Sequence, residues 1–366
     1  MQEQELLYLL MLHKMQGIGH INAKKLLQYF GSATALFQAS ANDLKEVDGI
    51  GSKRIKTLRD SAIMKEAEQE LNFIQSNNIN LSYFKDEDYP SRLKQCIDSP
   101  ILLFSRGNIN LKNKPILSIV GTRQVTTHGI AFCEQLIEDL SPLKPVIVSG
   151  LAYGIDIVAH RTAIKYNLQT IACLAHGLNQ IYPKAHQKYA SSIENNGGFL
   201  TDFCSGDSFD RKNFLSRNRI IAGLSEATIV IESAEKGGSL VTADIAHSYD
   251  REVFAVPGRP QDKFSKGCNM LIKQQKAQMI TSAADLVYNL NWDMETKKKN
   301  IQTQLFVSLT DDEKFVVQKL TETGKAEIDA LSLICGLPTH KLSSILLSLE
   351  LGGFVRPLPG KQFEII

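Results

Sequence analysis

The residues best suited to chemistry fall in short polar runs that follow apolar ones. Gly121-Thr122-Arg123 offers a bare backbone, a hydroxyl and a guanidinium directly after the apolar Ile116–Val120. Ser149-Gly150 ends Val146–Val148, and Leu151-Ala152-Tyr153-Gly154 leads into a helix near Ile155. Two such turns, each feeding a helix N-terminus, predict an anion site where backbone N–H groups and helix dipoles converge. Thr127, just before Gly129, is placed to cap the first of these helices. Gly237-Gly238-Ser239 opens a further helix and is a third candidate for a phosphate.

The bases and rings around these turns point to more than one phosphate. Arg123, Lys184, Arg211, Lys212, Arg217, Arg219 and Arg259 all sit near expected strand ends, and Phe214, Tyr182 and Tyr153 could stack bases. Alternatives stand beside this reading. Arg217 and Arg219 can equally pair with Asp202 or Asp210, Phe214 can be core, and Asp156 reads as a helix cap or as the partner of an arginine rather than a catalytic base. His128, His160, His176, His186 and His247 lack metal-ligand spacing and are expected to be structural or solvated. There is no G-x-x-x-x-G-K-[ST] loop, no G-x-G-x-x-G after Val120 and no G-x-S-x-G elbow, so these pieces of nucleotide and acyl chemistry are missing.

The elements that must hold these groups alternate. Strands are expected at Ile116–Val120, Val146–Ser149, Thr170–Leu174, Phe199–Thr201, Ala227–Ile231, Val253–Val256 and Gln278–Ile280. Helices are expected at Gly129–Leu140, Ile155–Tyr166, Ala185–Asn195, Ser216–Gly223, Ser239–Ser248 and Asn269–Lys276. This predicts an α/β class: a Rossmann-like, doubly wound, mainly parallel sheet with its ligand at the carboxyl ends of the strands. Residues 71–114 read as a lead-in that forms the sheet edge, within a domain spanning 71–290.

Residues 1–70 read as a helical domain with two G-I-G turns, Gly17-Ile18-Gly19 and Gly49-Ile50-Gly51, each opening a helix with early bases. The pair resembles a tandem helix-hairpin-helix, whose turn presents N–H groups to a phosphate; a tight turn used only for packing reads the same way. Residues 291–304 form a lysine-rich linker. Residues 305–366 resemble a winged helix-turn-helix: a capping box at Thr310–Glu313, helices at Glu313–Leu320, Glu327–Cys335 and Thr339–Leu351, then a two-stranded wing. Its third helix carries few bases beyond His340 and Lys341, which favours protein contact or a structural role over sequence-specific DNA reading.

The chain of 366 residues has a net charge of only +2, so nucleic-acid binding has to rest on local patches. Six scattered cysteines without a C-x-x-C pair read as reduced and cytosolic. No apolar run is long enough for a membrane span, and a cytoplasmic location is expected.

Many of these motifs, in this order, resemble the DprA/Smf family: Ser118–Arg123, Ser149–Asp156, Ala159-His160, Gly177–Asn179 with Tyr182-Pro183-Lys184, Phe214 with Arg217–Ser225, Gly237–Leu240 with Thr242-Ala243, Pro257-Gly258 and Gly267–Ile272. The resemblance covers about residues 80–290. It implies a non-enzymatic protein without metal or cofactor. Such a protein binds incoming single-stranded DNA in natural transformation, protects it, helps load the RecA recombinase, and forms a homodimer through the Rossmann-like domain. By position it implies Arg123, Lys184, Phe214, Arg217, Asn218 and Gly237–Ser239 as DNA contacts. Gly121, Thr122, Ser149, Gly150 and Arg219 join them from the reading of the turns. Leu215-Ser216 departs from the proline-containing pair common in the family, and Lys276 stands where a glycine is common. The rival reading is a Rossmann-like nucleotide or N-glycoside hydrolase, with Glu232 and Glu235 as acid and base. A duplex-specific regulator acting through the winged helix is a third.

Overall fold

The computed structural model describes residues 2–47, 61–292, 309–352, 354–358 and 360–365. They form two compact units, residues 1–294 and 295–366. The larger unit is built on a sheet of strands β1 (Asn80–Tyr83), β2 (Leu102–Gly107), β3 (Ile116–Gly121), β4 (Val146–Ser149), β5 (Thr170–Cys173), β6 (Gly197–Thr201), β7 (Ala227–Ile231), β8 (Glu252–Ala255) and β9 (Gln278–Met279). Their order is β1-β2-β6-β5-β4-β3-β7-β8-β9. The pairs β1–β2 and β2–β6 are antiparallel, and the pairs from β6 to β9 are parallel. The expected α/β class and the expected strands are therefore found, with the lead-in segment forming one edge.

The chain runs from β3 outward through β4, β5 and β6, then returns to the other side of β3 as β7. The strand order reverses at β3–β7, which is where ligands bind in open sheets of this kind. Alternation along β3 explains how the sheet is covered on both faces. Leu117 and Ile119 enter one core, while Ile116 and Val120 enter the other. The helix Thr127–Leu140 buries Gly129, Cys133, Leu136, Ile137 and Leu140, a one-sided stripe of helical period that packs on the first face. The helices Arg211–Leu224 and Gly238–Ser248 cover the opposite face.

The helices before β1 do not close a core of their own. Leu9, Leu12, Leu26 and Leu27 pack in one cluster with Phe104 and Phe199 of the sheet. These helices are short, and each has too little apolar surface to fold alone. The first G-I-G turn is docked in the same way. Ile18 is buried, His20 Nδ1 accepts from the Ile101 N–H at 3.3 Å, and the Lys24 ammonium donates to the Ile97 carbonyl at 3.2 Å. His20 and Lys24 are thus engaged by protein, while Lys25 is exposed. The second turn, Gly49–Gly51, lies outside the described residues, as does most of the expected linker.

In the smaller unit Thr310 and Glu313 form the expected capping box at the start of Asp311–Thr323. Helices Ile328–Cys335 and Thr339–Leu351 follow, and Leu320, Leu331, Leu342 and Leu346 make the core. The wing β11 (Val355–Leu358) and β12 (Gln362–Ile365) takes a third strand, β10 (Lys325–Glu327), on its free edge. Glu327 is therefore on a strand rather than a helix. Lys341 is paired with Asp312 at 2.6 Å, which removes one of the few bases on the third helix. Among the described residues no single helix is long and apolar enough to cross a membrane.

Candidate nucleic-acid interface

Neither of the first two helix N-termini is open to an outside anion. Thr126, one residue before the expected cap, receives the Gly129 N–H at 3.1 Å and caps the helix after β3. The Glu232 carboxylate, from the end of β7, accepts the Thr126 N–H at 2.9 Å and the Thr126 hydroxyl. The absence of a side chain at Gly129 leaves room for that carboxylate, which a Cβ would displace. At the second helix Asp156 is buried and accepts the Ala152 N–H at 3.2 Å. Burial pushes its carboxyl above the ordinary value, and the neighbouring Arg217 charge pulls it back. Asp156 is thus both a cap and an arginine partner, as its position implied. Both positive helix ends are satisfied from within.

The turn residues before these helices are also largely consumed. The Thr122 N–H donates to the Glu232 carbonyl at 2.8 Å, the Thr122 hydroxyl accepts from Gln124, and the Thr122 carbonyl accepts from Ile155. A Cβ at Gly121 would meet the Ile231 carbonyl and Ile155. The Ser149 hydroxyl is buried and donates to the Ile119 carbonyl at 2.6 Å. Gly150 is buried, its carbonyl accepts from His160 at 2.6 Å, and its Cα lies against both Asp156 and Arg217. Gly121, Ser149 and Gly150 therefore give room and shape to the site, where the reading of the turns had them as contacts.

Arg219 is the clearest departure. It is 9% exposed, its guanidinium pairs with Asp202 and donates to the Asp98 carbonyl, and Asp202 also faces His20 at 3.6 Å. Two residues along a helix from Arg217, it points away from the face that carries Arg217. Its partner, not solvent, holds its charge. The alternative of a structural ion is the one realised, with Asp202.

What stays open is a cleft of about 100 Å³ at the ends of β4 and β5, lined in part by Arg123, Tyr153, His176, Tyr182, Phe214 and Arg217. Asp210 caps the helix Arg211–Leu224, five residues earlier than the expected start at Ser216, so Phe214 sits in its first turns rather than on a preceding loop. Phe214 is half-buried, with the Arg123 and Arg217 guanidinium carbons 5.7 and 6.0 Å from its ring centre. Tyr182 and Phe209 complete an aromatic cluster, with centroids 6.0 and 5.6 Å from Phe214 and 4.7 Å from each other. Tyr182, Phe209 and Tyr153 are exposed. Phe209 escaped the sequence reading, although an aromatic five residues before Phe214 is a usable signal. Arg123, Lys184, Arg211 and Lys212 are exposed around the cleft, and none of the ion pairs among the described residues engages them.

The third helix N-terminus differs from the first two. Gly237 is its N-cap with no side-chain cap, and Gly237 and Gly238 are exposed. Ser239 is buried and bonds Ser233 at 2.9 Å, so it shapes the loop. Asn218 is also buried, and its amide donates to the Gly238 carbonyl at 3.3 Å. Because Asn218 is one turn beyond Phe214, it ties this loop to the aromatic cleft at a spacing of about 6 Å along the helix. Among the described residues no cluster of three or more His, Cys, Asp or Glu could hold a metal. A larger groove of about 1260 Å³ lies at the amino ends of the strands, but its Arg92 and Glu226 are paired with each other at 2.9 Å.

The comparisons with known proteins identify the family. Residues 80–291 match the family model described as DNA recombination-mediator protein A, and residues 303–361 match the DprA winged helix domain. The chain belongs to the DprA/Smf family. It is 30% identical over its whole length to Protein Smf of Synechocystis sp., which it also covers completely. The X-ray structure of DNA processing protein A from Streptococcus pneumoniae superposes with a TM-score of 0.65 at 32% identity, over 77% of this chain and 97% of that one. The DNA processing protein A of Helicobacter pylori, solved for its single-stranded DNA binding mode, gives 0.53 at 28% identity, over 58% of this chain and 95% of that one. Family membership makes this chain a DNA-processing protein of the recombination-mediator type, with the sheet and the winged helix as its family-defining parts.

Proposed function

We propose that this chain binds single-stranded DNA without regard to sequence, protects incoming strands and helps load a RecA-type recombinase during natural transformation. The observation that carries the binding step is the pairing of free and spent charge at the strand ends. Glu232 and Asp156 neutralise the inner helix termini, while Arg123, Lys184, Arg211 and Lys212 stay exposed beside an aromatic cleft. Cations around clustered rings suit a charged backbone carrying bases. The single-stranded DNA binding of the Helicobacter pylori relative supports the same reading. The contacts we assign are Arg123, Lys184, Phe214, Arg217 and the Gly237–Gly238 loop, with Asn218, Ser239, Gly121, Thr122, Ser149 and Gly150 as their scaffold.

RecA loading, homodimerisation through the sheet-bearing unit and action in the cytoplasm belong to the same proposal and rest on the family. The segments 1–70, 71–290 and 305–366 are proposed as a division of labour rather than of folding.

The hydrolase reading needs a free carboxylate pair, whereas Glu232 is a helix anion and Glu235 pairs with Lys266 at 3.3 Å. The test is binding of a fluorescent oligo-dT across a salt series, by wild type and Arg123→Ala. Affinity should fall with salt with a log–log slope of roughly −0.7 per phosphate neutralised, and Arg123→Ala should weaken binding and flatten the slope. Binding indifferent to both salt and Arg123 would overturn the assignment.

A further inference from the structure

One loop receives buried polar side chains from two N-terminal helices. It follows β6 and runs Asp202-Phe203-Cys204-Ser205-Gly206-Asp207. The Asp202 carbonyl oxygen can only accept, so His13 Nε2 donates to it at 2.7 Å. The Lys14 ammonium bridges Asp207 at 3.2 Å and Glu66 at 3.3 Å. The Glu70 carboxylate accepts the Ser205 N–H at 2.8 Å and the Ser205 hydroxyl at 2.6 Å. These side chains come from the helices Glu3–Lys14 and Ser61–Ser76. Glu70 is 4% exposed and the Lys14 side chain 6%. Charges are almost never buried this far unless paired, and here both find partners on the loop.

The opposite side of this loop is the wall of the cleft. The Thr201 hydroxyl, at the end of β6, donates to the His176 carbonyl at 3.0 Å and accepts the Phe203 N–H at 3.1 Å. A Cβ on Gly177 would meet the Cys204 carbonyl and the Ser205 Cα, so the two backbones are in contact. His176 lines the cleft. Asp207 also closes the loop on itself, its carboxylate accepting the Cys204 N–H at 2.8 Å. Two residues further, Phe209 enters the aromatic cluster, its ring centre 6.1 Å from His176 and 5.6 Å from Phe214. A displacement of the loop is therefore passed to the cleft, because close-packed segments transmit strain.

We propose that the N-terminal helices act as a clamp on the DNA cleft. Glu70 and Lys14 are its positioning residues: they hold the loop, and through it Phe209 and the cleft wall, in the form that takes single-stranded DNA. The inference rests on the single-stranded DNA reading above and goes beyond it, because it gives these helices a part in binding without a contact to DNA. Since they close no core of their own, they open as a local unit. Linkage then makes the effect mutual: docked helices raise DNA affinity, and bound DNA holds the helices down by the same factor.

The first test is amide hydrogen exchange of the full chain with and without saturating oligo-dT. Exchange in Glu3–Lys14 and Ser61–Ser76 should slow about tenfold more than in the helix Ala283–Asn289, whose slowing reports general stabilisation alone. Equal slowing in all three helices would overturn the clamp and leave single-stranded DNA binding intact. No binding of oligo-dT would remove both readings. The second test is affinity for oligo-dT at one salt concentration. Glu70→Ala should bind about tenfold more weakly, and Glu70→Gln, which keeps an acceptor for the Ser205 N–H, should recover most of that loss. Wild-type affinity in a destabilised Glu70→Ala would overturn the positioning role and leave Glu70 a packing residue. The exchange comparison uses the wild type, so a misfolded Glu70→Ala leaves the proposal falsifiable.

Discussion

Glu232 at the end of β7 holds the N-terminus of the helix that follows β3, with its carboxylate 2.9 Å from the Thr126 N–H. One side chain thus ties together the two strands at which the sheet order reverses, and places a negative charge where an open sheet of this kind would take a ligand phosphate. In the proposed reading, anion binding is displaced outward, to Arg123, the aromatic cleft and the helix that begins at Gly238.

Replacing Glu232 by Ala should therefore cost stability rather than activity. Loss of a cap and of a helix-terminal charge is worth about 1–2 kcal/mol, read as a lower urea midpoint. Affinity for single-stranded DNA should hold or rise, because a negative charge leaves the site. A hydrolase with Glu232 as its base would instead lose turnover with little change in stability.

Phe214→Ala tests the aromatic cleft. Stacking of one base is worth on the order of 1–3 kcal/mol, so binding of oligo-dT should weaken by roughly ten- to a hundredfold. Phe214 is only half-buried, and the variant should unfold close to the wild type. A large loss of stability with unchanged affinity would make Phe214 a packing residue.

Arg219→Ala should behave in the opposite way to Phe214→Ala. It leaves the Asp202 carboxylate buried without its main partner, a change that typically costs 3–5 kcal/mol. Denaturant unfolding should show that loss. Binding by the fraction that remains folded should be near wild type, since Arg219 does not line the cleft.

Stability should fall between neutral pH and pH 5. Burial lowers His13 and His160 to about 4, so both stay neutral in the fold and take up protons on unfolding. The unfolded chain then binds more protons below about 6.5, and stability present above that value is lost as pH falls towards 4. Each histidine contributes on the order of 3 kcal/mol to that loss. Asp202 acts at lower pH. Burial raises its carboxyl, but Arg219 and then His20 and His13 outweigh that and hold it well below the carboxylate range. Its contribution is lost only as pH drops below about 4. Urea midpoints at pH 7.5, 6 and 5 check the histidine part, and a non-titrating His160→Gln should reduce the slope by about one proton.

The sequence by itself determined most of the elements and pointed to the end of the sheet at which the open cleft lies. Strands such as Val146–Ser149 and Ala227–Ile231 are legible because each is a short apolar run closed by a glycine or polar turn, and motif order was enough to name the family. The capping box at Thr310–Glu313 is equally local. Tertiary structure decided which polar groups remain free, since that depends on partners distant in the chain. Glu232 meets Thr126 across 106 residues, Arg217 meets Cys173 across 44, and Arg219 meets Asp98 across 121. No spacing rule reaches that far. Arg217 and Arg219 look alike in sequence, yet a helix turns them to different sides, one to the cleft and one to Asp202, because two residues on a helix are about 200° apart.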